Sequence, residues 1–409
     1  MPRNRTLVIP AGSLVSAVRG PLAALAGLGL LLACIAGCSS ASGAPNNPLA
    51  GTCLSGAGLP LTIVVGARSN VPTIQFPSEL ISLLNTAAKY REPITLIRID
   101  SKPKVLPVMP FDPNGDVNSA AIQQDINQYV DGVISILTGS RLHAAAPQAD
   151  VLGALSLAAA ATPAGGNIVV IDSGLQTTAP LEYQVPGMLM SPPSDVVKFL
   201  QSGGLIPALS GRHVLLYGFG YTAAPQAALD QPERENVVAQ WKAIVAAGGA
   251  CVSVDTTPNT NAETAGLPAV STVPLPPPTI FKACGTTVLS NEGSVGFDDG
   301  NASFRDPPAA RSTLTRLATV LNQGTEPVTL IGSTSTEGGD AINNPLSTER
   351  AAAVKSVLVS LGVAASRITV VGDGAHYPGR VNDVGPDGQL LLPQAEQDRE
   401  VIVQLPQCQ

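Results

Sequence analysis

The sequence predicts an α/β protein in two folded parts: a mostly parallel sheet domain, then an α+β domain ordered β-α-β-α-β-β. Three observations carry this. Short runs of β-branched and apolar residues alternate with longer stretches of helical spacing. The early runs are continuously apolar, the mark of strands buried on both faces of a parallel sheet. After the proline run Pro274-Leu275-Pro276-Pro277-Pro278 the pattern changes.

In the first part, Leu61–Val65 is an apolar run closed by Gly66. Ser78–Tyr90 has helical spacing through Leu80, Ile81, Leu84, Ala87 and Ala88. Ile94–Ile99 is strand-like. Residues 118–137 form an amphipathic helix, with apolar positions from Ile122 to Leu137. A second helix is expected over Asp150–Ala161. Asn167–Ile171 is a β-branched strand; Ser194–Gln201 is helical, His213–Tyr217 a strand, Glu233–Ala247 a helix and Cys251–Val254 a strand. Strands separated by helices imply a sheet covered on both faces.

In the second part, Ser294–Phe297 is the expected first strand and Ala309–Leu321 the first helix. Val328–Ile331 is a strand. Asn344-Pro345 is read as a helix start, since Asn caps free N–H groups and Pro suits a first turn. That helix runs through Leu358 and stops at Gly362. Ile368–Val371 and Glu400–Leu405 complete the order.

Composition excludes several classes. Charged residues are 13% and the hydrophobic fraction is 44%, too apolar for intrinsic disorder. The formal charge of −7 provides no basic footprint for nucleic acid. No GxGxxG, P-loop or GxSxG stands in a strand–turn–helix setting, so no cofactor and no catalytic residue is assigned. Gly218-Phe219-Gly220 lacks the third glycine and reads as a tight turn. His143, His213 and His376 are scattered and no CxxC occurs, so no metal site is expected.

The N-terminus has its own logic. Arg3, Arg5 and Arg19 precede or border an apolar stretch from Pro21 to Gly37, with no acid before it. That stretch is too short for a comfortable membrane span. It ends Ile35-Ala36-Gly37-Cys38, which resembles the bacterial lipobox, where the thiol accepts a diacylglycerol and acyl chains anchor the protein. The expected organisation is a lipoprotein signal over 1–37, lipidation at Cys38, a tether over 38–59, a first domain over 60–255, a Pro-rich linker over 256–284 and a second domain over 285–409. The chain would lie on the extracytoplasmic side of a cell envelope. Cys53, Cys251, Cys284 and Cys408 then suit two disulfides in an oxidising compartment. Three pairings are open; their placement leans towards Cys251 with Cys284 and Cys53 with Cys408.

The first domain, Rossmann-like in its alternation, resembles the von Willebrand factor A fold. Ile171-Asp172-Ser173-Gly174 and the stretch Trp241–Val254 carry the resemblance. That family's metal site needs an Asp and two hydroxyls after the first strand. The loop here reads Gly66-Ala67-Arg68-Ser69-Asn70, without the Asp and with a cation that would repel a divalent ion. Asp100 and Asp172, at strand ends, read as turn-capping residues. An envelope protein partner is the expected ligand of residues 60–255.

The second domain resembles the OmpA-like family (OmpA, MotB and Pal C-terminal domains). The residues are Ile331-Gly332-Ser333-Thr334-Ser335, Gly338-Gly339, Asn343, Leu346-Ser347, Arg350-Ala351, Gly372-Asp373-Gly374 and Asp398-Arg399-Glu400-Val401. The resemblance implies noncovalent binding of peptidoglycan through the diaminopimelate of its stem peptide. The family sets an Asp after the second strand and an Arg on the following helix, a fixed anion and a planar cation for a ligand bearing ammonium and carboxylate on one carbon. The Arg falls on Arg350 and the Asn on Asn343. The Asp position holds Ser335, with Glu337 and Asp340 nearby as substitutes, and the late Asn-Arg-Arg becomes Asp398-Arg399-Glu400. The expected site is therefore Ser335, Asn343, Arg350 and Arg399. The expected role is a membrane-to-wall tether, or an envelope adaptor in which wall binding is altered.

Overall fold

Every residue of Leu61–Val65 (β1) is buried, and a strand can be buried at every position only between two layers. The computed structural model describes residues 47–113, 119–262 and 264–407. The expected signal over 1–37, Cys38 and Cys408 lie outside the described residues. β1 pairs in parallel with β2 (Ile94–Arg98) on one side and β4 (Asn167–Ile171) on the other. β5 (His213–Tyr217) and β6 (Cys251–Asp255) extend the sheet in parallel. Lys104–Leu106 (β3) adds an antiparallel edge beside β2 that the sequence pattern did not reveal. The order is β3-β2-β1-β4-β5-β6.

The two-residue pleat sorts each strand between the layers. Ile63, Val65, Val169, Ile171, Leu215 and Tyr217 face α1 (Ser78–Tyr90) and α2 (Ser119–Thr138). Val64, Ile168, Val170, Val214 and Leu216 face the other way. There they meet α3 (Val151–Ala161), α4 (Pro193–Ser202) and α5 (Gln231–Ala247). The fold is thus α/β with a mostly parallel six-stranded sheet. α5 starts earlier than its apolar pattern suggests, because Asp230 and Glu233 cap each other's backbone N–H reciprocally.

The second sheet has four strands in the order β7-β10-β8-β9: Thr286–Ser290, Glu400–Gln404, Val328–Ser333 and Ile368–Gly372. β10 is antiparallel to β7 and β8, while β8 and β9 are parallel. α6 (Pro307–Leu321) and α7 (Asp340–Ser360) cover one face around Leu314, Leu330, Val354 and Val401.

Two expectations are corrected. The first strand is Thr286–Ser290 and not Ser294–Phe297. Its Val288 alternates onto the exposed face, which hid the strand, and residues 291–295 form turns. The helix bearing Arg350 begins at Asp340, with Pro345 inside it. Gly338 and Gly339, both at positive φ, make the entry turn. Pro345 forfeits only the bond to the carbonyl of residue 341.

The cysteines also differ from expectation. Cys53 pairs with Cys251, 198 residues apart, clipping the first described segment to β6 at the edge of the sheet. Cys53 N–H donates to Ser253 Oγ beside that bond. Cys284 is also disulfide-bonded. The Pro-rich stretch lies along the first sheet's loops: Ser69 N–H donates to Pro268, and Gln226 brackets Val273 from both sides. Among the described residues no helix is long and apolar enough to cross a membrane.

Candidate functional site

The loop after β8 carries Ser335, the first half of α7 carries Asn343 and Arg350, and Arg399 enters at the start of β10, which pairs with the end of β8. Gly332 lets α7 lie against β8. A Cβ there would strike the Ser347 carbonyl, so a side chain would push α7 off β8. The loop is fixed from both sides. Thr336 donates through its N–H and its hydroxyl to Asp383 at 2.7 and 3.0 Å, and Thr334 N–H donates to the Gly374 carbonyl. Asn343 Nδ2 donates to the Ser335 carbonyl at 2.9 Å. Asn343 therefore shapes the loop that carries Ser335.

Arg350 is a buried residue. Its Nε donates to the Asn301 carbonyl at 3.0 Å and Nη2 to the Asp298 carbonyl at 3.4 Å. The guanidinium lies 5.3 Å from the centre of the Phe297 ring. Burial, and then the like charge of Arg399, press its pKa down to about 10.

Arg399, between α8 (Leu392–Asp398) and β10, is the electrostatic centre. Nη1 reaches Glu396 at 3.2 Å. Nη2 reaches Asp195 at 2.6 Å and Glu337 at 3.4 Å. Asp195 belongs to α4 of the first sheet's layer, 204 residues away in sequence. Burial pushes the Asp195 carboxyl up, and the Arg399 charge opposes that rise. Glu396 is fully buried and raised by desolvation, against Arg399, Arg305 and a hydrogen bond from Asn291.

Of the two acids expected to replace the missing Asp, Glu337 stays at the site. It accepts from Lys198 of α4 at 2.6 Å as well as from Arg399. Burial is the strongest single influence and raises its carboxyl, but the hydrogen bonds with Lys198 and Asp195 and the charges of Lys198 and Arg399 together outweigh it, and the net shift is downward. Asp340 turns away to His376 at 2.8 Å. Sequence reasoning missed Asp195, Lys198, Glu396 and Asp383. Asp195 carries no local signal beyond an acid in a helix's first turn.

At the other end of the chain, Arg68 fills the loop after β1. Its guanidinium makes a bidentate pair with Asp172 at 2.6 and 2.9 Å, with both side chains wholly buried. Asp172 also accepts from Gly174 N–H. Asp100 accepts from the N–H groups of Ser101, Ala145 and Ala146. Among the described residues no group of three His, Cys, Asp or Glu could hold a metal ion.

Comparison with known proteins bears on the second sheet. Residues 296–387 match the OmpA family and form an OmpA-like domain in this chain. Over 92 residues the chain is 39% identical to the probable lipoprotein YiaD of Escherichia coli K12, covering 22% of this chain and 41% of that protein. Among solved structures it is similar to the peptidoglycan-associated lipoprotein of Burkholderia pseudomallei, with 23% identity, a TM-score of 0.22, and coverage of 27% of this chain and 86% of that one. It is also similar to the cell wall anchor of the type VI secretion system (T6SS) of Pseudomonas aeruginosa, with 22% identity, a TM-score of 0.24, and coverage of 30% and 81%.

Proposed function

We propose that the chain is a lipid-anchored envelope protein that tethers a membrane to peptidoglycan. Acyl chains on Cys38 hold the membrane, and the OmpA-like domain holds the diaminopimelate of a wall stem peptide. The observation that carries this is the presence of two guanidinia, Arg350 and Arg399, at the end of an OmpA-like sheet. Arg399 is the one whose donors are engaged by carboxylates, as a ligand carboxylate would engage them. Glu337 supplies an anion from the loop that carries Ser335, and Asn343 shapes that loop. The open six-stranded sheet, helices on both faces, supports a von Willebrand A-like reading of the first domain, with a protein partner and no reaction assigned.

The loss of the loop Asp to Ser335 and the internal bonding of Arg350 favour one rival. In that reading the protein is an envelope adaptor whose wall binding is gone. The test is retention of residues 47–409, one compact unit, on diaminopimelate-containing sacculi. Retention displaced by a soluble diaminopimelyl stem peptide, and not by its lysine counterpart, is expected. Absence of retention by both the wild type and Asp195→Asn would leave the adaptor.

A further inference from the structure

Helix α4 presents two charges of opposite sign to the OmpA-like domain, three residues apart on one face. Asp195 and Lys198 stand 3.8 Å from each other across that turn. The carboxylate is seated on Arg399 at 2.6 Å, and the ammonium on Glu337 at 2.6 Å. Beside them Ser194 Oγ donates to Asp299, in the loop whose carbonyls hold Arg350. The start of α4 thus lies between the two loops, 298–301 and 334–339, that frame Arg350 and Ser335.

A surface ion pair formed by chance would leave both partners wet. Here Asp195 is 3% exposed and Arg399 is 7% exposed, while the Lys198–Glu337 pair beside them stays open to water. A carboxylate and an ammonium held a few ångströms apart, matched by a cation and an anion on the opposing domain, is the charge pattern of a diaminopimelyl centre. A cleft of about 340 Å³ opens along the contact, lined by Lys198, Ser202, Thr336, Glu337 and Gln389. It gives a soluble ligand a route to the edge of the pair.

The geometry points to α4 as an intramolecular stand-in for the wall ligand: Asp195 and Lys198 occupy Arg399 and Glu337, and wall binding requires α4 to withdraw. This rests on the wall-binding reading above. A site whose competent form is a minor fraction binds with an affinity reduced by that fraction. The tether would therefore be weak at rest, and strengthened by whatever pulls the first domain away from the second.

The test uses residues 47–409 and two readouts: retention on sacculi, and hydrogen exchange of amides in 298–301 and 334–339. Lys198 is 64% exposed in its side chain, so Lys198→Glu sets two acids against each other without disturbing a core. Asp195→Asn removes the charge from Arg399 at constant shape. Each should speed exchange in both loops and lower the half-saturating sacculus concentration by roughly tenfold. Wild-type exchange and wild-type retention in both single variants would overturn the stand-in. Faster exchange without any retention would keep the internal contact but sink the wall ligand, and with it the function proposed above.

Discussion

Arg68 and Asp172 show what one residue can decide. A buried guanidinium with no carboxylate would be among the costliest groups in a core. The bidentate pair, wholly shielded from water, removes that cost only while both members are present. Arg68→Ala should therefore destabilise the fold by about 3–5 kcal/mol, because it strands the Asp172 charge. Arg68→Met with Asp172→Leu should recover much of that loss. Urea denaturation of the two single variants and the double decides it; additive losses would mean that the pair is not coupled. The sequence disclosed that Arg68 stands where a cation-binding loop would need an acid. It did not disclose the partner, because 104 residues separate the two and only the β1–β4 pairing brings them together. The same holds at the candidate site around Arg399. Arg350 was named from the resemblance to the OmpA-like family, whereas Asp195 was not found, since its partner belongs to another sheet.

At the scale of elements, the interiors of strands and helices were legible and their ends were not. The capping box moved the start of α5, a glycine pair moved the start of α7, and a half-exposed face hid β7. The junction of α8 and β10 carries a further consequence. Burial, then the neighbouring Asp398 charge, push Glu400 up to about 7 from an ordinary 4.5. Between those values the folded chain holds a proton that the unfolded chain has released. That carboxyl thus favours folding most below pH 4.5, and its contribution fades as pH rises towards 7. Glu400→Gln, which keeps the neutral shape, should shrink the fall in stability between pH 5 and pH 7.5 (roughly the two sides of that titration). Chemical denaturation at both pH values gives the slope, and an unaltered slope would assign it to other groups. The edge of the first sheet invites a second test. The Cys53–Cys251 bridge closes a long loop, so Cys53→Ser with Cys251→Ser should cost about 2–5 kcal/mol. Peptide mapping without reductant should recover residues 53 and 251 in one linked fragment.

The whole molecule is more than two domains on a string, because one residue of the second half is built into the core of the first. Leu392, at the start of α8, is 4% exposed and joins the cluster of Met188, Leu189, Val196 and Leu200. The backbone is fitted to it: Gly187 faces the Pro393 carbonyl so closely that a Cβ would collide, and Gln397 donates to the Pro186 carbonyl. This apolar anchor, with the ion pairs around Arg399, decides how often α4 withdraws. Leu392→Ala removes buried volume at the seam, and such truncations cost about 2–5 kcal/mol when the site cannot collapse. Trp241, the sole tryptophan, is buried in the first half and reports on that half alone, while far-ultraviolet ellipticity reports on both. In the wild type the two signals should melt together, as one cooperative unit does. In Leu392→Ala they should separate, and the variant should gain on sacculi as Lys198→Glu does. Coincident melting in Leu392→Ala, with retention unchanged, would mean that the seam neither couples the halves nor restrains the site.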